Sequence, residues 1–456
     1  MSFTSQLDAA RLVTRRRASR LGRAALGLAA VGVSACNSDA VSLGGGDNPA
    51  GGTGACALGV DGVVEGSVSI DTQEGLDELA GCSEITGRLD ITASRDFDLT
   101  PLASLRVVRE TLRIDGTQAL PALDHLDGLE ALERVGELLL DNLDITNFEG
   151  LNSLAQVRTD ERTESWEVIT ALGTVFINGC NRLNDLTGLE NLVVWQDFSV
   201  SGAASLTSLR GLAARGMDQT LIVGNAPSLR DIASLGGGGS FELVRFTATG
   251  IESFVLDQPA YIRGLELRDN PALQSVESLG AIQNLERLVI HDNDALETLP
   301  ELPYLDVTLR VLSITENAVL RAVPAWIEPD EGDFLPYENG GEPGDWTYFI
   351  LPEFSLALIS GNPQLTELAL PTSFRFGGQV RIQDNASLAT IDLSYLDNAD
   401  DLSLVNNAAL TQIEIPALKS VDALQVVDNP QLPPSVFANV QTFSADMQGN
   451  LAEPAP

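Results

Sequence analysis

The second half of the chain repeats one alternation of apolar and polar positions, and its clearest copy runs from Leu265 to Leu273 as L-x-L-x-x-N-x-x-L. It returns as Leu288, Ile290, Asn293, Leu296 and as Leu312, Ile314, Asn317, Leu320, and then around Asn362, Asn385, Asn407 and Asn429. From Asn270 onward the asparagines step by 23, 24, 45, 23, 22 and 22 residues. One coil of a solenoid is therefore about 22 to 23 residues long, and the step of 45 contains an insertion. Upstream the phrase decays but keeps its spacing, at Val175 to Leu183, Phe198 to Leu206 and Leu221 to Leu229. With weaker copies at Leu89, Leu112, Leu138 and Phe246, the chain reads as about fourteen coils.

Alternation at Leu265, Glu266 and Leu267 predicts a short strand whose leucines enter the core and whose glutamate faces outward, because strand side chains have a period of two. The asparagine then turns the chain, and its amide can satisfy backbone groups that a buried turn leaves unpaired. The column Asn270, Asn293, Asn317, Asn362, Asn385, Asn407 and Asn429 predicts an asparagine ladder. L-x-x-L spacing, as at Leu183, Leu186, Leu189 and Leu192, predicts an irregular or short helical return limb. No coil buries its apolar face alone, so stability accrues by stacking and the ends need caps.

Residues 1–35 read as a targeting segment. Arg15, Arg16, Arg17, Arg20 and Arg23 precede the short apolar run Ala24 to Val33, too brief for a permanent membrane span. Val33-Ser34-Ala35-Cys36 resembles the lipobox of bacterial lipoproteins, which implies lipidation of Cys36. The arginine run also resembles a twin-arginine leader, but Ser19 and Arg20 stand where that motif takes apolar residues, so the export route stays open. Residues 36–55, rich in Gly, Ser, Asn and Ala, predict a flexible tether reaching about 25 Å. Together with Asn37, this implies a lipid-anchored protein of the cell envelope, sorted to the outer membrane.

The full chain carries a formal charge of −37. Removal of residues 1–35 takes six arginines and one aspartate, leaving 21 basic and 63 acidic residues, a net of −42. Such a surface excludes nucleic acid as a partner. Cys56 and Cys82 flank the first folded stretch, a cap over residues 56–86, and a disulfide closing that loop would contribute about 3 to 4 kcal/mol. Cys180 stands in the asparagine column and reads as a buried thiol. The solenoid proper spans residues 87–433, and residues 434–456 form a C-terminal cap and tail.

Cys82 to Ile91, C-S-E-I-T-G-R-L-D-I, resembles the C-x-x-I-x-G-x-L-x-I opening of receptor L domains, and Leu129 to Leu138 resembles their linkage of a leucine pair to a following strand. The resemblance covers most of residues 56–433. It implies a mostly β, right-handed, leucine-rich-repeat solenoid that binds other molecules; the lack of catalytic motifs adds the expectation of no enzymatic activity and no cofactor.

Two features invite a site. The residue before the asparagine is acidic in five coils, Asp269, Asp292, Glu316, Asp384 and Asp428, which offers a strip for a divalent cation or a basic partner. Aspartate also favours a turn by bonding local backbone, and no calcium-loop motif accompanies the column. An insertion over residues 324–349 gathers Trp326, Phe334, Tyr337, Trp346, Tyr348 and Phe349 among acids, with no Lys or Arg. Solenoid insertions often form binding faces, and aromatic residues anchor interfaces. The same rings could instead fold back over the coil edge. A smaller insertion lies near residues 152–170. No hydrolase elbow, zincin helix, P-loop or dinucleotide turn occurs, and the histidines are His125 and His291 alone. The reading is a surface-tethered recognition protein for a protein or glycan, with a polysaccharide-acting enzyme on a parallel β-helix or a structural envelope protein as alternatives.

Overall fold

The computed structural model describes residues 41–43, 56–116, 121–162, 168–193, 195–212, 219–235, 239–300, 309–324, 355–370 and 378–451. Each L-x-L phrase forms a strand, and successive strands pair in parallel one coil apart. Leu265 lies on Leu288, Leu288 on Leu312, and Ile290 on Ile314. Val311–Thr315 pairs directly with Leu356–Ser360, Ile314 on Ile359, so the 45-residue step adds chain without opening the stack. The result is a mostly β solenoid of about 14 turns.

Apolar positions of the strands and of the return limbs meet in one continuous core. Leu183, Leu186, Leu189 and Leu192 are all buried, as are Leu265, Leu267, Leu288 and Ile290. In the earlier coils the return limb is turns and short 3-10 segments such as Thr100–Leu102 and Ala233–Leu235. In the later coils it becomes extended: Ala322–Val323, Glu367–Ala369, Thr390–Asp392 and Gln412–Glu414 form a second parallel sheet. The alternation T-I-D and Q-I-E, with the isoleucines inward, explains the change from turn to strand.

The seven asparagines named above are fully buried. Asn293 Nδ2 donates to the Leu267 carbonyl at 3.0 Å and to the Asn317 Oδ1 at 3.4 Å, and the Asn293 amide donates to that same oxygen at 3.1 Å. The pattern continues through Asn317 to Asn362 across the insertion, at 3.1 Å between side chains. It ends at Asn450, whose Oδ1 accepts from the Asn429 amide at 3.1 Å. At the other end Thr249 takes over, its Oγ1 donating to the Asn270 Oδ1 at 2.6 Å. Cys180 occupies the equivalent place further upstream, with its Sγ 4.0 Å from the Leu140 carbonyl. Burial pushes its thiol up to about 11.

The residue before this column has a left-handed backbone. Asn142, Gly179, Gly202, Asn225, Ala248, Asp269, Asp292, Glu316, Gly361, Asp384, Asn406 and Asp428 have φ between 51° and 70°. Gly, Asn and Asp tolerate that region best, whereas alanine has no polar side chain to compensate for it. Ala248→Gly is therefore expected to raise stability by about 0.5 to 1 kcal/mol, since relief of the strain exceeds the added freedom of the unfolded chain. A thermal melt of the variant checks this, and an unchanged or lower midpoint would refute it.

At the N-terminal end, Val68–Ile70 carries Val41–Leu43 on its free edge, within the stretch read from sequence as a tether. The helix Gln73–Asp77 is capped by Thr72, whose Oγ1 accepts from the Gly75 amide at 3.2 Å, and it buries Leu76. A disulfide joins Cys56 to Cys82. At the other end, Gln441–Asp446 pairs with Ser420–Val427 and is exposed along its whole length. The smaller insertion forms an antiparallel hairpin, Gln156–Arg162 with Val168–Leu172.

Candidate recognition surface

Side chains between the two leucines of each phrase point away from the core and stack into a row on the outer face of the large sheet. Ser69, Asp90, Arg113, Leu139, Phe176, Ser199 and Ile222 are successive neighbours, each on its partner in the next strand. The row continues through Arg245, Glu266, Val289, Ser313, Leu358, Arg381, Ser403 and Gln425. Strands about 4.8 Å apart present these groups at regular intervals. Leu139 and Phe176 are adjacent and half-buried, an apolar spot on the outer face.

The charged part of this face centres on Glu266. Its place between Leu265 and Leu267 points it outward, as alternation requires, yet it is only 1% exposed. Three arginines cover it. Arg245 Nε donates to its Oε2 at 2.7 Å, Arg268 Nε to the same oxygen at 3.0 Å, and Arg287 Nε to its Oε1 at 2.9 Å. Burial alone would raise the carboxyl, but the hydrogen bond from Arg245 and the charges of Arg287, Arg245 and Arg268 outweigh it and hold the group down at about 2. The arginines come from three successive strands, 19 to 23 positions apart in sequence, and only stacking in register brings them together.

Similar but smaller networks flank it. Arg113 bridges Asp115 at 2.8 Å and Asp141 at 3.3 Å, and Arg381 meets Asp401 at 2.8 Å. Asp197, on the same face, has its carboxyl raised by burial, against the opposing hydrogen bond with Thr220.

The acidic column lies at the left-handed turn. The amides of Asp269, Asp292, Glu316, Asp384 and Asp428 each donate to a carbonyl of the following coil at 2.8 to 3.0 Å. Backbone conformation thus accounts for aspartate there, alternating with Gly and Asn in other coils. Among the described residues no three His, Cys, Asp or Glu side chains gather where they could hold a metal ion. His291 shares a hydrogen bond of 2.9 Å between its Nδ1 and Thr315 Oγ1, on the outer face. His125 is half-buried elsewhere. Cys36 and the aromatic residues Trp326, Phe334, Tyr337, Trp346, Tyr348 and Phe349 lie outside the described residues. Among the described residues no helix is long and apolar enough to cross a membrane.

The arginine cluster escaped sequence reading because its members sit in unrelated local contexts. The signal that could have found it is the three outward slots of each strand, aligned by coil: Arg245 and Glu266 share the middle slot, Arg287 takes the slot before it and Arg268 the slot after it. Compared with known proteins, the chain matches no family model and no curated protein.

Proposed function

We propose that this is a non-enzymatic recognition protein of the cell envelope, anchored by a lipid on Cys36, that presents the outer face of its solenoid to a protein or glycan. The observation that carries the reading is that face itself: an uninterrupted row of outward side chains from Ser69 to Gln425, combining apolar spots with guanidinium groups. A rigid, regular surface loses little entropy on binding, which suits it to a partner that spans several coils. The asparagine column and the buried L-x-x-L return limbs of the earlier coils support a right-handed leucine-rich solenoid of the receptor L type, with the column as its ladder. The second parallel sheet in the later coils favours the other reading, a parallel β-helix of the kind that acts on polysaccharides.

Crosslinking on intact cells followed by mass spectrometry tests the proposal, with the native protein, a Leu139→Arg/Phe176→Arg variant and a version lacking residues 325–349. A discrete partner captured by the native protein and lost with the double variant is the expected outcome. Turnover of an acidic glycan by the purified protein, or capture of no partner by the native protein, would overturn it.

A further inference from the structure

The charges around Glu266 do not balance. Three outward rows cross the strands from Gln219–Ala226 to Val311–Thr315: Thr220 to Val311, Ile222 to Ser313 and Gly224 to Thr315. They carry Arg245, Arg268 and Arg287 against the single carboxylate of Glu266. The block therefore holds an excess of two positive charges on a chain whose net charge is −37.

The geometry also leaves a specific set of donors unused. Each arginine spends its Nε on Glu266. Among the described residues, the terminal nitrogens of Arg245, Arg268 and Arg287 meet no acceptor. Their side chains are 30%, 32% and 46% exposed, enough to be reached from solvent. A guanidinium tied down through Nε keeps its end-on pair of N–H groups, whose spacing matches two oxygens of a carboxylate, sulfate or phosphate. Glu266 acts as a fixed post that orients three such forks. Arg287 is registered on Gly264, which adds no side chain to crowd that slot.

Charged neighbours set the limits of the ligand. Arg263 is engaged by Glu242 and Glu286 at the strand entrance, and Asp269, Asp292 and Glu316 stand at the turn on the other side. His291 lies beside Arg268 in the same row, with Glu316 at 3.9 Å from its Nε2. A small basic patch rimmed by acids attracts one oxyanion and repels a polyanion.

We propose that the Arg245, Arg268 and Arg287 triad on Glu266 is an oxyanion site, which takes a single carboxylate, sulfate or phosphate group borne by an otherwise neutral ligand. This rests on the recognition reading above and names the chemistry at one point of that face.

The test is arginine modification of the full-length native protein by phenylglyoxal, followed by peptide mass spectrometry, at constant ionic strength with chloride, inorganic phosphate, sulfate or acetate. Phosphate or sulfate is expected to slow modification of Arg245, Arg268 and Arg287 about tenfold relative to chloride, while the exposed Arg106 and Arg321 change little. Stronger protection by acetate than by phosphate would assign the site to carboxylates, and the reverse to sulfate or phosphate esters. Equal protection at the triad and at Arg106 would overturn the site.

Arg287→Gln, which removes the most exposed member, should abolish at least half of the protection at Arg245 and Arg268, and unchanged protection there would also count against it. Partner capture on cells by the native protein, with no protection in vitro, would remove the oxyanion site and leave the recognition reading standing. Protection without any captured partner would do the converse.

Discussion

Replacing Asn317 with alanine is expected to lower stability by about 3 to 5 kcal/mol, the largest loss from any single truncation in the asparagine column. The side chain is fully buried and serves both neighbouring coils. Its Oδ1 accepts from the Asn293 amide at 3.1 Å, and its Nδ2 donates to the Ile290 and Thr315 carbonyls, each at 3.1 Å. Alanine strips the Asn293 amide of its acceptor and the Ile290 carbonyl of this donor, while the Thr315 carbonyl keeps the Asp292 amide at 3.0 Å. Each buried group left unpaired costs about 1 to 3 kcal/mol, partly recovered by relaxation and water entry. The same residue joins the coils on either side of the insertion through Asn362. Hydrogen exchange should therefore accelerate in Val311–Thr315 and Leu356–Ser360 before it does in distant coils, because each coil is held mainly by its neighbours. Asn450→Ala, at the half-exposed end of the column, should cost much less. Equal losses at the two positions would show that the column does not transmit stability in this way.

Acid should remove a contribution of about 3 kcal/mol that is centred on Glu266. Its carboxyl is held at about 2, below the ordinary 4.5. A carboxyl depressed by folding stabilises the native state fully above its unfolded value. That stabilisation drains away as pH falls from about 4.5 to 2, where both states bind the proton. Glu266→Gln keeps the shape but loses the charge, so three guanidinium groups face each other without a counter-ion. Denaturation at pH 6 should find the variant less stable, and its acid limb between pH 4.5 and 2 should be flatter than that of the native protein. An acid limb of the same slope would place the pH dependence on other carboxylates.

These two sites differ in how far they can be read from sequence. Asn317 is visible because its role repeats: seven copies at one spacing identify a column before any coordinates exist. Asn450 belongs to the same column but lacks the flanking leucines, so only its hydrogen bonds reveal it. The acidic column is visible as a pattern, but its meaning depends on φ. Aspartate, asparagine, glycine, one glutamate and one alanine share a position because the backbone there is left-handed, a property that no single residue type announces.

Sequence alone determined the period, the strand phrase, the inward rows and the place of the insertion, because each depends on local alternation and on repetition along the chain. Tertiary structure decided what lies beside what across coils. It joined Ile314 to Ile359 over 45 residues, turned the later return limbs into a second sheet and gathered three arginines on one buried glutamate. The physical reason is that outward side chains meet their neighbours one full coil away. Their pairing follows from the register of hydrogen-bonded strands, and a coil of variable length conceals that register until the chain has stacked.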